Sequence, residues 1–203
     1  MKGLLLKDIY TLTKQMKVFL VVLAVFCCIP GYSVSAYAII YAAMLPITAL
    51  AYDERSKWNR YAAMMPYTAK SMVLSKYILG YAAVLLASLL AITAEGIAGI
   101  IRHTALSPDE WLSYLMFVCI ALIMLAINLP LMFRLGVEKG RIFFFITVAI
   151  IVVGGLALGD RITDWLDSAA VSPQFAAMVF AAAAVLINLV SVLLSIRIFQ
   201  KKA

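Results

Sequence analysis

Histidine is almost missing from this chain: His103 is the only one in 203 residues. It stands at the edge of an apolar run, which excludes the H-E-x-x-H helix of zinc proteases and any pairing of two histidines. Cysteine is nearly as scarce. Cys27, Cys28 and Cys119 all fall inside apolar runs with no zinc-ligand spacing, and the adjacent Cys27 and Cys28 are poorly placed to bridge each other. They read as ordinary buried residues. No G-x-x-x-x-G-K-[ST] and no G-x-S-x-G occurs, so the chain carries neither a phosphate-binding loop nor a nucleophile elbow. Charge is the largest deficit. Asp, Glu, Lys and Arg make up 13% of the residues, against about 25% in ordinary soluble domains.

What fills the space is apolar. Hydrophobic residues account for 66% of the chain, and the mean hydropathy is +1.04. Long apolar blocks alternate with short charged loops, the arrangement of an integral membrane protein. Helices are implied, because a segment in lipid must satisfy its own backbone hydrogen bonds. The alternating segments of about ten residues that mark a membrane barrel are absent.

The apolar blocks predict an all-α integral membrane fold with six transmembrane helices, at about 18–31, 34–52, 71–101, 111–133, 142–158 and 175–196. Pro30-Gly31-Tyr32-Ser33 separates the first two as a tight hairpin. Arg134 to Arg141 is a short return loop, and the fifth span ends in the acidic stretch Asp160 to Asp167. Residues 1–17 precede the spans as an amphipathic interfacial helix. Leu5, Ile9, Leu12 and Met16 share one side of it, and Lys7, Lys14 and Lys17 the other, facing anionic lipid. Val34-Ser35-Ala36 resembles a signal-peptide cleavage site, but the amphipathic leader and the apolar run that follows argue against processing there.

Six spans put both termini on one side, and the charges can be sorted on that assumption. Of the 17 basic residues only Arg102 and Arg161 fall on the opposite side. Basic residues of short loops stay cytoplasmic, so both termini are expected in the cytoplasm of a multi-pass plasma-membrane protein. The net charge of +7 is therefore a membrane-topology signature, and no nucleic-acid partner is expected.

One charged island interrupts the apolar blocks, from Asp53-Glu54-Arg55-Ser56-Lys57-Trp58 to Pro66. It reads as a short helix over 53–66. Asp53 and Lys57 form an i,i+4 pair, Trp58, Tyr61, Ala62 and Met65 share a face, and Pro66 ends it. A polar helix with an aromatic stripe between two spans suits docking on a soluble partner; the bland alternative is a solvated loop. Within the spans, Glu95 is expected at the outer headgroups. Asn128 and Asn188 lie deeper, where each is either interhelical glue or part of a substrate path. The near absence of buried ionisable groups argues against an ion-coupled transporter. No pair of carboxylates at membrane depth supports an aspartyl protease.

The pattern Asp53-Glu54-x-x-x-Trp58 with Pro66, the following Ser75-Lys76-Tyr77, and an opening Met1-x-x-Leu4-x-x-Lys7-Asp8 resemble the small ABC-2-type permeases of Gram-positive bacteria. The chain is similar to the membrane subunits of exporters for amphipathic cytolytic peptides of the phenol-soluble-modulin type. The resemblance covers essentially the whole chain. It implies a coupling helix at 53–66 seated in a separate cytoplasmic ABC ATPase subunit, with Trp58, Tyr61 and Met65 as anchors and Asp53, Glu54, Arg55, Lys57 and Arg60 as a charged rim. ATP and Mg would be bound by that partner, with no cofactor or metal and no catalytic residue on this chain. It also implies a second permease copy, identical or similar, and an amphipathic peptide or lipid-like cargo. Two other classes stay open. A lipid-modifying enzyme finds only the dispersed Asp160, Asp164 and Asp167. A non-transporting membrane sensor or assembly protein would bind its partner through 53–66 without changing ATP turnover.

Overall fold

The computed structural model describes residues 2–15, 17, 21–22, 25–26, 32–62, 64–65, 67–103, 108–168 and 172–202. Most of the expected first span, and Pro66, therefore lie outside the described residues. The described residues form eight named helices and no strand: α1 (Lys2–Gln15), α2 (Tyr32–Ala42), α3 (Leu45–Arg55), α4 (Trp58–Ala62), α5 (Ala69–Arg102), α6 (Pro108–Leu135), α7 (Val137–Ser168) and α8 (Pro173–Lys202). Among them, three helices are long and apolar enough to cross a membrane, in the stretches Ala69–Ile101, Glu110–Leu135 and Pro173–Lys201. With 34 residues, α5 is about 51 Å long, well beyond the ~30 Å hydrocarbon layer. The Thr68 hydroxyl accepts the N–H of Ser71 at its start, and His103, in the left-handed region at φ 57°, closes its end.

The helix ends depart from the expected boundaries in three places. The second span is two helices, broken by a turn at Ala43–Met44 just before Pro46, whose ring presets the first turn of α3. The return loop at Arg134–Arg141 shrinks to one non-helical residue, Gly136, at φ +84°. A left-handed glycine lets α6 stop and α7 start without a longer connection. The acidic stretch Asp160–Asp167 is the helical continuation of α7, which runs unbroken to Ser168 because no proline interrupts it.

Helix α6 is the centre of the bundle. It packs most extensively on α8 and also touches α2, α3, α5 and α7. Close approach is set by small residues, with Ala126 of α6 and Ala184 of α8 buried and Ala121 packed among Ala43 and Ala91 on the side of α2 and α5. Gly80 serves the same end between α5 and its neighbours: a Cβ there would lie 2.1 Å from Leu125 Cδ1 and 3.2 Å from Pro46 Cγ. At Gly154 of α7, by contrast, such a Cβ would meet nothing within 4 Å among the described residues. The outer faces remain oily, with Leu86, Leu89 and Ile97 of α5 and Leu186, Leu189 and Leu193 of α8 all exposed. Such continuous exposed apolar surface identifies a multi-pass membrane protein.

Candidate functional site

Four charged side chains from three helices meet at one end of the bundle. On α1, Lys7 and Asp8 stand side by side; Asp53 closes the last turn of α3; Lys76 lies two turns into α5. The Lys7 ammonium is 2.9 Å from Asp8 Oδ1 and also bonds Asp53 Oδ1. The Lys76 ammonium is 2.7 Å from Asp8 Oδ1 and 2.6 Å from Asp53 Oδ2. Signs alternate around this ring and sum to zero. Asp8, Asp53 and Lys76 are buried, at 1%, 8% and 6% exposure. Buried charges persist only when each finds a counter-charge and hydrogen bonds. Here each has two. Asp8 Oδ2 alone of the ring's carboxylate oxygens lacks a hydrogen-bond partner among the described residues.

The ring explains why α1 takes the face it does. Leu4, Asp8 and Leu12, one helical turn apart, are buried against the bundle, while Leu6, Ile9 and Tyr10 are exposed. The expected grouping of Leu5, Ile9 and Leu12 is therefore divided, with Ile9 outside and Leu12 inside. Asp8, polar on an otherwise apolar face, has decided the rotation because it meets Lys76.

The charged island also folds differently from a single helix over 53–66. Asp53, Glu54 and Arg55 are the last turn of α3; Ser56 and Lys57 form a turn; Trp58 begins α4. Lys57 sits in the left-handed region at φ 54°, and its N–H bonds the carbonyl of Glu54. The Asp53–Lys57 pair does not form, because Asp53 turns inward to Lys7 and Lys76. Glu54 reaches the other way, its Oε2 accepting the Val137 N–H at 2.8 Å where α7 begins. Trp58 is half-buried beneath Lys7, whose ammonium lies 4.7 Å from the ring centroid. Such a contact couples a cation to the face of the indole. Arg55, Lys57, Tyr61, Met64 and Met65 point outward, Tyr61 at 57% and Met64 at 84% exposure. The side chain of Arg60 lies outside the described residues.

A cavity of about 140 Å³ opens beside the ring and gathers the chain's distant parts. Lys7, Asp8, Glu54, Trp58, Gly136 and Phe199 all line it. The N-terminal helix, the charged island, the α6–α7 junction and the C-terminal turn of α8 thus share one end of the molecule. The basic-residue sorting had placed these same segments together. What the sequence missed was the partnership itself: Lys7, Asp8 and Lys76 carried the family resemblance without any sign that they meet Asp53.

Deeper in the bundle, Asn188 is a cross-helix tie. Its amide donates to the carbonyls of Leu122 (3.2 Å) and Ala184 (2.8 Å), and its Oδ1 accepts the Tyr81 hydroxyl at 3.1 Å. It also lines a groove of about 350 Å³ between α5, α6 and α8. Asn128 is fully buried; its amide donates to Met124 O at 2.8 Å, while its Oδ1 has no partner among the described residues. The two asparagines do not share a lining. A further polar seam joins the same three helices: Tyr77 bonds Ser191 and Ser195, and Ser191 donates to the carbonyl of Ala126. No group of three or more metal-ligating side chains occurs among the described residues.

A family model described as ABC-2 family transporter protein matches residues 3–200. No curated protein and no solved structure matches the chain.

Proposed function

The chain belongs to the ABC-2 transporter family and is a membrane permease of an ABC transporter; from that premise we propose that it exports an amphipathic substrate, a peptide above all, in complex with a separate cytoplasmic ATPase subunit. The partner binds ATP and Mg, and a second permease copy, identical or similar, completes the transporter. Both termini and the 53–66 segment face the cytoplasm of the plasma membrane. The outward stripe of α1, Leu6, Ile9 and Tyr10, lies in the lipid headgroups.

The observation that carries this reading is the division of labour within 53–66. Asp53, Glu54 and Trp58 tie the segment to the bundle, leaving Tyr61 and Met65 exposed as apolar anchors with Arg55 and Lys57 as the charged rim. An exposed aromatic and methionine pair on a braced turn is what an ATPase groove would bury. The groove beside Asn188, with Asn128 deeper in the same helix bundle, is the candidate substrate path. Its mostly apolar lining suits an amphipathic cargo better than an ion.

The test is to purify the tagged chain from its own cell's membranes, reconstitute it in nanodiscs, and assay for bound ATPase and ATP turnover. Wild type is expected to retain the ATPase. Tyr61→Ala with Met65→Ala is expected to lose it while staying folded, since neither side chain belongs to the ring. No ATPase on the wild-type chain would overturn the reading. Retained partner with unchanged turnover would favour the sensor or assembly role instead.

A further inference from the structure

A ring of four charges, three of them buried, is a poor way to gain stability, because well-packed apolar side chains of similar size do as well or better. Its bonds, however, have a particular distribution. Lys7–Asp53 joins α1 to α3, Asp8–Lys76 joins α1 to α5, and Asp53–Lys76 joins α3 to α5. Each pair of these three helices is thus tied by its own ion pair. Lys7, the member stacked on Trp58, connects the ring to α4. Asp8 and Lys76, both almost wholly buried, pair with Lys7 and Asp53 and so reach α4 through the Lys7–Trp58 contact.

We infer that Asp8 and Lys76 are positioning residues that hold the Trp58–Ala62 segment, through Lys7, in register with α5, making the ring the joint that passes movement of that segment into the bundle. This rests on the reading of 53–66 as the partner-facing segment. The direction of transmission follows from adjacency along α5. Lys76 belongs to the ring, and Tyr77, its neighbour, bonds Ser191 and Ser195 of α8. A shift of α4 that drags Lys7 and Asp53 must therefore either break the ring or move α5 and, with it, α8. Packed bundles of this kind respond by discrete rearrangement rather than by gradual deformation.

The ring's neutrality supplies a variant that separates positioning from folding. Asp8→Asn with Lys76→Met removes one charge of each sign and leaves the Lys7–Asp53 pair intact. Trp111→Phe and Trp165→Phe make Trp58 the sole indole among the chain's three tryptophans. In that background, acrylamide quenching of Trp58 reports the seat of α4 without any partner. We expect the double variant to remain monodisperse and to raise the quenching constant at least twofold, with Lys76→Arg matching wild type. In nanodiscs the double variant should keep the co-purified ATPase at wild-type stoichiometry, but its turnover should equal that of the ATPase alone. Unchanged quenching, or unchanged turnover, would overturn the inference. So would loss of the ATPase together with the ring, which would make the ring part of the docking face. If wild type itself retains no ATPase, the permease reading fails, and the quenching arm alone still decides whether the ring seats Trp58. Should the double variant not fold, Asp8→Glu keeps every charge, moves one carboxylate by a methylene, and is read by the same two measurements.

Discussion

Glu54 caps a helix that begins far along the chain: its Oε2 accepts the backbone N–H of Val137 at 2.8 Å, across a sequence separation of 83 residues. The first N–H groups of a helix have no partner within it, and a carboxylate there also meets the positive end of the helix dipole. Gly136, immediately before, is held at φ +84°. A Cβ at that position would approach Glu54 Oε1 to 3.2 Å. The carboxylate and the glycine are thus fitted to one another.

Substitutions at these two positions read that fit. Glu54→Ala should lower stability by about 1 kcal/mol, the usual worth of an N-terminal cap, and Glu54→Gln by less, because its amide oxygen still accepts. Gly136→Ala should cost about 1–2 kcal/mol for the left-handed backbone alone, plus the crowding against Glu54. In the Glu54→Ala background the crowding disappears, so the combined loss should fall short of the sum. Thermal unfolding in detergent micelles compares these four variants with wild type. Strict additivity would show that the side chain of Glu54 does not occupy the position described.

Much of this arrangement could be read in advance, and the remainder fails for identifiable reasons. Apolar run length located α5, α6 and α8, since lipid demands unbroken helices of a certain reach. The Asp53-Glu54-x-x-x-Trp58 pattern singled out the charged island, but local spacing assigned Asp53 the wrong neighbour. Asp53 was matched to Lys57 by local spacing, whereas its partners Lys7 and Lys76 arrive only when α1 and α5 pack against α3. No periodicity encodes a contact between residues brought together by three separate helices. The tight glycine approaches, Gly80 against Leu125 and Gly140 against Met132, carry no local mark for the same reason. Which face of a helix meets a neighbour is a property of the bundle.

The placement of Lys7, Asp53 and Phe199 around one cavity predicts an experiment on orientation. Arg55 is exposed beside the ring, and Gln174 is exposed at the start of α8, whose other end carries Phe199. With Cys27, Cys28 and Cys119 replaced by alanine, a single Gln174→Cys should react in intact cells with a membrane-impermeant maleimide. Arg55→Cys should react only after permeabilisation, by at least a tenfold difference in labelling. Labelling of Arg55→Cys from outside would place the 53–66 segment away from any cytoplasmic ATPase and remove the coupling reading with it.

Pro130 offers the last prediction, because its missing N–H has a visible consequence one turn earlier. Within α6 the carbonyl of Ala126 would ordinarily accept from residue 130, and proline has nothing to donate. Ser191 of α8 donates to that carbonyl instead. Ser191→Ala leaves a carbonyl unpaired in an apolar bundle and should cost about 1 kcal/mol, in the range of hydrogen bonds between membrane helices. Tyr77, the other partner of Ser191, keeps its 2.9 Å bond to Ser195 and adds little to that loss. Pro130→Ala restores an N–H for Ala126, so in that background the cost of Ser191→Ala should drop by more than half. Unfolding free energies of the two single variants, the double variant and wild type in micelles close the cycle. An unchanged cost would mean that Ser191 is held by Tyr77, and that the proline and the serine on facing helices are independent.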